Sequence, residues 1–240
     1  MTYCVGLLLN DGMVLLSDTR TNAGLDNIST YKKMFTFEEA GERVITIMTA
    51  GSLSVTQTTI AQLHEAMDDP EANAETSIMQ APTMLKVAEI IGRTLCNVRQ
   101  DIDMKMQAAK VSTSASMIVA GQRKGGGMRM FLIYPEGNFI EATADTPFLQ
   151  IGEHKYGKPI LDRVVRPETT LVDARKAVLL SMDSTLRSNL SVGMPLDMAI
   201  IRDGSLTIEE SRIEANDPEF TKMSEAWSNA LREGFTKIEI

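Results

Sequence analysis

The chain has 240 residues, 43% of them hydrophobic and 23% charged, which suits one large domain, or one domain with an appendage, around a sizeable core. A net charge of −8, with no basic patch interleaved with aromatics, argues against nucleic acid and anionic membranes as partners. Two cysteines (Cys4 and Cys96) and two histidines (His64 and His154) lie scattered, with neither a disulfide framework nor a metal-ligand spacing, so neither metal nor cofactor is expected.

The first residues carry no basic leader, and their apolar run stops at Asn10-Asp11-Gly12. That pattern is neither a signal peptide nor a membrane span, and a reduced, cytoplasmic setting is expected. Three stretches share one pattern, an apolar run followed by a glycine turn: Val5–Leu9 before Asp11-Gly12, Met130–Tyr134 before Glu136-Gly137-Asn138, and Met198–Ile201 before Asp203-Gly204. Such turns favour antiparallel hairpins. Further strands are expected at about 33–37, 43–49, 114–121, 139–143 and 147–151.

Between the strand groups the period changes to helical. Ile60, Leu63 and Met67 share one face of a short helix, and Met84, Ala88, Ile91, Leu95, Val98 and Ile102 form one stripe on the next. A second pair is expected at about 155–165 and 172–190, separated by Pro167. Strands, two helices, strands, two helices, strands is an α+β order. Two antiparallel sheets face to face, with a helix pair on each outer surface, would bury every stripe: a four-layer αββα sandwich. A parallel βαβ sheet is the rival arrangement, which the hairpin turns disfavour. The sixteen methionines sit within these apolar segments and read as gap-filling core residues.

The domain is expected to span residues 1–207 and an extension 208–240. Residues 209–240 hold eight acidic and four basic side chains, half of the net charge. Asp217-Pro218 is a helix start, Phe220, Met223, Trp227 and Leu231 follow on one face, and Gly234 reads as the stop. A contact between subunits is the expected role of this amphipathic helix; packing on its own domain is the alternative.

No G-x-S-x-G elbow, H-E-x-x-H helix or phosphate loop occurs, and the two histidines point to no triad. What remains is Thr2. Behind an initiator methionine, threonine is small enough for Met1 to be trimmed, which would leave a free amine beside the hydroxyl. An α-amine titrates near 8, at roughly 7.7–8.0, and acts as general base for its own side chain. Asp18 closes the apolar run Met13–Leu16, where an acid is costly unless paired, and Lys33 opens the run Met34–Phe37. If their strands are neighbours, the two meet beside Thr2. Thr49-Ala50-Gly51 sits at a strand-to-helix junction, where an open N–H suits an oxyanion. Each of these also has an ordinary reading: turn-former, solvated strand end, simple connection.

In this order the residues resemble a family. Thr2, Ser17-Asp18-Thr19-Arg20-Thr21-Asn22-Ala23-Gly24, Lys32-Lys33, Thr49-Ala50-Gly51 and Arg187-Ser188-Asn189-Leu190-Ser191-Val192-Gly193 are similar to proteasome β subunits, and specifically to the bacterial Anbu family. The likeness covers roughly residues 2–207, and the longer tail also resembles Anbu. It implies the αββα fold of N-terminal-nucleophile hydrolases and a peptidase working through an acyl-enzyme. Thr2 is then the nucleophile, Asp18 and Lys33 its charge partners, and Ser191 an orienting residue. Gly51 becomes the oxyanion donor and, with Asn22, a contact for substrate backbone. Thr21, Tyr31, Thr49 and Leu53 fall on the specificity pocket. A peptide or unfolded protein is the implied substrate, with an unfoldase as a possible partner, and the chain is expected to assemble with itself as a ring or an open helical, lock-washer array.

Two positions depart from the family pattern. Ser188 stands where catalytic subunits carry an aspartate, and Gly152-Glu153 stands where they carry Gly-Ser beside the active threonine. An assembly scaffold of the same fold with little activity is therefore the alternative, and an amidase acting on a small metabolite a more distant one.

Overall fold

The computed structural model describes residues 1–22, 28–106 and 112–239. Strands β1 (Tyr3–Leu9) and β2 (Gly12–Asp18) form the first hairpin, β3 (Arg20–Asn22) and β4 (Ile28–Thr30) a small second one, and β5 (Met34–Glu39) pairs with β6 (Arg43–Gly51). Helices α1 (Leu53–Asp68) and α2 (Met84–Met106) follow. Then come β7 (Ala115–Arg123), β8 (Arg129–Ile133), β9 (Phe139–Glu141) and β10 (Phe148–Gly152). Helices α3 (Lys158–Val164) and α4 (Leu171–Ser188), strands β11 (Leu196–Arg202) and β12 (Glu209–Ile213), and helix α5 (Pro218–Thr236) complete the chain.

One sheet has the order β10-β1-β2-β11-β12 and the other β5-β6-β7-β8-β9. Every pairing in them is antiparallel, as the hairpin turns predict. Alternation along the strands explains the layering, because successive side chains leave opposite faces. In β1, Tyr3, Val5, Leu7 and Leu9 pack towards α3 and α4, while Cys4 joins the layer between the sheets. In β6, Ile45 and Ile47 pack under α1 and α2, while Val44 and Met48 face the other sheet. Both strands are covered on both faces, which is why they read as continuous apolar runs. Methionines 13, 34, 48 and 130 all lie in the layer between the sheets, where an unbranched chain fills irregular space.

The helices match their stripes. Val87, Ala88, Ile91, Leu95 and Val98 of α2 are buried, and Ile102 packs at the margin of the same cluster. Thr170 caps α4 by accepting from the Asp173 N–H.

Three features differ from the sequence expectation. The β3–β4 hairpin has no apolar run to announce it. The first sheet takes in β12, so the core domain reaches Ile213 rather than ending at 207. Helix α5 runs through Gly234 to Thr236. Its first half does lie on its own domain: Phe220 and Met223 pack against the α4 cluster, and the buried Ser224 hydroxyl donates to Asp183 at 2.7 Å. Its second half stays open, with Leu231 and Phe235 exposed.

Candidate active site

Thr2 directly precedes β1, which lies between β2 on one side and β10 on the other. Thr2 is buried, at 7% exposure, beneath Met1 at 59%. Asp18 is the last residue of β2 and Lys33 immediately precedes β5, so the two approach from opposite sheets. Lys33 Nζ donates to Asp18 Oδ1 at 2.8 Å, with both side chains buried. The same ammonium donates to the carbonyl of Arg20 at 2.5 Å and to that of Met1 at 3.3 Å. All three of its N–H bonds are thus engaged.

Asp18 is held on every side. Oδ1 also accepts from the backbone N–H of Tyr3 at 3.0 Å, and Oδ2 accepts from the N–H of Gly193 at 3.2 Å. Burial raises its carboxyl above the usual value, opposed by the Lys33 ammonium and by the Tyr3 and Gly193 N–H groups. The amine at the chain start, here that of Met1, is lowered by burial and by the Lys33 charge, while Asp18 and Glu153 act to raise it. With Met1 attached this nitrogen lies one residue ahead of the amine that a trimmed chain would present at Thr2.

A cavity of about 210 Å³ opens in front of Thr2. Met1, Thr2, Thr21, Lys33, Thr49, Ala50, Gly51, Leu53 and Thr56 line it. A cavity of about 150 Å³ accommodates benzene, so this one has room for a medium-sized side chain. Gly51 is the exposed end of an otherwise buried strand and has φ of 110°. A side chain there would meet the Ser114 carbonyl oxygen at 2.3 Å, so glycine is required on steric grounds.

The structure brings Thr2, Lys33, Thr21, Thr49, Gly51 and Leu53 together around one cavity, with Asp18 behind Lys33. Tyr31 is not among the lining residues and is 39% exposed, its N–H bonded to the Thr19 carbonyl. Asn22 ends β3, and its side chain lies outside the described residues. Ser191 is half-buried, and its hydroxyl forms no hydrogen bond with Thr2, Asp18 or Lys33 among the described residues; its N–H donates to the Asn189 side-chain oxygen. The contact from this loop to the site comes instead from the backbone of Gly193. Ser188 is exposed at the end of α4, and Glu153 lies beside Thr2, its N–H bonded to the Thr2 carbonyl at 2.8 Å.

Sequence reasoning missed Thr56 and the backbone partners. Carbonyls and N–H groups carry no residue-type signal. Only the close approach of Gly193 to Arg20, where a Cβ would fall 2.1 Å from Nε, offered a trace in sequence, as a glycine.

Two facing antiparallel sheets between helix pairs, with Thr2 buried beside a lysine–aspartate pair, define the fold of N-terminal-nucleophile proteins. The model of the proteasome subunit family matches residues 2–201, and the chain belongs to that family, in its Anbu branch. Among solved structures it is similar to Anbu from Hyphomicrobium sp. strain MC1, with 46% identity, a TM-score of 0.88, and coverage of 99% of this chain and 98% of that one. Anbu from Yersinia bercovieri, described as an ancestral β subunit, is 41% identical with a TM-score of 0.90, covering 99% and 98%. The helical assembly of the Anbu complex from Pseudomonas aeruginosa matches at 41% identity and a TM-score of 0.93, covering 99% and 97%. No curated protein matched the chain.

Proposed function

We propose that the chain is a self-assembling threonine peptidase in which Thr2, freed of Met1, is both nucleophile and general base. The observation that carries this reading is the buried Lys33, bound at once to Asp18 and to the carbonyl just ahead of Thr2. Burying such a pair is expensive and stabilises a fold poorly compared with apolar packing, so a scaffold has no physical need of it. Removal of Met1 frees one Lys33 N–H, which can then turn to the Thr2 amine or hydroxyl.

The chemistry follows from those groups. The Thr2 hydroxyl attacks the peptide carbonyl carbon while its proton passes to the neutral Thr2 amine, and the Lys33 charge favours the developing alkoxide. The Gly51 N–H is the donor for the carbonyl oxygen, which becomes negative in the tetrahedral intermediate. Collapse breaks the C–N bond, and the proton held by the Thr2 amine goes to the departing amine. Water, deprotonated by the same Thr2 amine, then attacks the ester, releasing the acid and restoring the hydroxyl. The cavity lined by threonines, Ala50 and Leu53 favours an uncharged side chain of modest size before the cleaved bond.

Assembly rests on the exposed half of α5, with Leu231 53% and Phe235 79% exposed. A peptide or unfolded protein is the proposed substrate, and the free thiols of Cys4 and Cys96 suit a cytoplasmic setting. The test is direct. Intact mass should show Met1 missing, and a threonine-reactive β-lactone should label the trimmed protein but not Thr2→Ala. A correctly trimmed protein that takes no label would replace this reading with the scaffold, which the exposed Ser188 favours, together with a Ser191 hydroxyl that has no partner among the described residues.

A further inference from the structure

The loop between α4 and β11 reaches the site through one backbone group. Asp18 Oδ1 accepts from Lys33 and from the Tyr3 N–H, whereas Oδ2 accepts only from the Gly193 N–H among the described residues, at 3.2 Å. The Asp18 side chain is buried, so water does not replace that donor. The loop that carries Gly193 is neither helix nor strand, and Leu190 at its tip is 85% exposed. Its hold on the site therefore depends on contacts from elsewhere.

Arg20 supplies them from the strand that follows Asp18. Its Nη1 donates to the Leu190 carbonyl at 3.0 Å, and its guanidinium lies over Gly193, where a Cβ would fall on Nε, Cζ and Nη2. Thr19 fastens the far end of the same loop, its hydroxyl donating to the Pro195 carbonyl at 2.7 Å. The Arg20 carbonyl meanwhile accepts from Lys33 Nζ. One residue thus meets Lys33 through its backbone and Asp18 at one remove, through the loop that its side chain holds.

We propose that Arg20 is a positioning residue whose guanidinium clamps the 189–193 loop, keeping the Gly193 N–H on Asp18 and the carboxylate on Lys33. Its catalytic meaning rests on the peptidase reading above, although the clamp exists without it. A guanidinium bonds a carbonyl more strongly than a neutral donor does, and glycine, lacking a side chain, lets the planar group lie against the backbone. Without the clamp the loop opens locally while the remaining fold stays in place. Asp18 Oδ2 then loses its donor, the ion pair shifts, and Lys33 leaves the place where the Thr2 hydroxyl needs its charge. The cavity before Thr2 is untouched, because Arg20 does not line it.

The experiment compares trimmed protein with Arg20→Met, which fills similar space but cannot donate, and Arg20→Lys, which can. Hydrogen exchange of the peptide spanning 190–196, read by mass spectrometry, reports the Gly193 amide. Arg20→Met should exchange there about tenfold faster, the loss of one charge-assisted hydrogen bond, and Arg20→Lys should recover part of the difference. Gly193→Ala, whose methyl displaces the guanidinium at a position outside the left-handed region, should match Arg20→Met, and the double variant should be no worse than either. In β-lactone acylation Arg20→Met should lower the maximal rate about tenfold and leave the half-saturating concentration unchanged, because placement and not binding is lost. Unchanged exchange at 190–196 in Arg20→Met overturns the proposal. Faster exchange with an unchanged maximal rate, or a loss confined to the half-saturating concentration, overturns it too. An unsubstituted protein that takes no label removes the peptidase reading instead, and the exchange pattern then decides the clamp by itself.

Discussion

Lys33 and Asp18 meet at 2.8 Å although Asp18 ends β2 of one sheet and Lys33 leads into β5 of the other, so the ion pair is a bond between the two layers of the sandwich as well as part of the site. The pair is buried, and its members are not interchangeable with their surroundings. Replacing Lys33 with methionine leaves the Asp18 carboxyl buried without its cation, which destabilises by about 3–5 kcal/mol. Urea unfolding should show that loss, and the Asp18→Asn/Lys33→Met double variant should recover part of it. Acylation should fall about a hundredfold or more in both variants, because the charge that favours the alkoxide is gone from each.

Gly152 answers a steric demand. Alanine there combines a left-handed backbone, at φ of 80°, with a methyl group pressed against the Thr2 carbonyl. Gly152→Ala should destabilise by more than about 1 kcal/mol and slow acylation of the protein that still folds. Normal labelling together with normal stability would contradict the observed packing.

Tyr3 anchors the chain directly after Thr2. Its hydroxyl lies 2.6 Å from Ser181 Oγ and accepts from the Gln150 side chain at 2.6 Å, and burial pushes the phenol from 10.0 up to about 12. The folded chain therefore resists its ionisation more than the unfolded chain does. Stability from this group is fully present below pH 10 and is lost as pH rises towards 12. Unfolding free energies measured across that window should fall less steeply for Tyr3→Phe than for the unsubstituted protein.

Helix α5 divides the extension into an anchored half and an open half. Ser224 bonds to Asp183, and Arg187 donates to Ser224 at 2.6 Å, which staples the helix to α4. Leu231→Glu combined with Phe235→Glu leaves these bonds intact and should shift monomer stability by no more than about 0.5 kcal/mol for each exposed substitution. Light scattering should nevertheless report smaller particles. Unchanged particle size would remove the α5 face from the assembly interface.

Trimming also has a pH signature. Burial and Lys33 hold the chain-start amine below its ordinary value of 8.0. In the trimmed chain the amine lies one residue deeper, at the buried Thr2 beside the same Lys33, so the acid limb of the acylation profile is expected below about pH 8, the rate rising as the amine loses its proton. A limb centred above that value would show that the acids outweigh Lys33.

Much of the architecture was written in local pattern. The α2 stripe and the Asp217-Pro218 helix start depend on neighbours within a few residues, and so does the Asp203-Gly204 turn, so sequence alone was sufficient to place them. β12 was not legible. Glu209, Glu210, Ser211 and Arg212 are exposed on an edge strand and carry no apolar alternation, and what makes them a strand is the register with β11. The stop expected at Gly234 failed for a related reason: one glycine weakens a helix by only about 1 kcal/mol, and α5 continues past it.

The site divides along the same line. Sequence determined that a threonine follows Met1, that an acid ends one apolar run, and that a lysine begins another, because residue identity and local context are properties of the chain. Only the tertiary structure decided that Asp18 and Lys33 join across two sheets, that Gly193 and Tyr3 lend their N–H groups, that the Ser191 hydroxyl makes no hydrogen bond to Thr2 among the described residues, and that the Glu153 backbone stands against Thr2. Those relationships link positions far apart in sequence through backbone atoms shared by every residue type. They come into being only when packing brings the strand ends together.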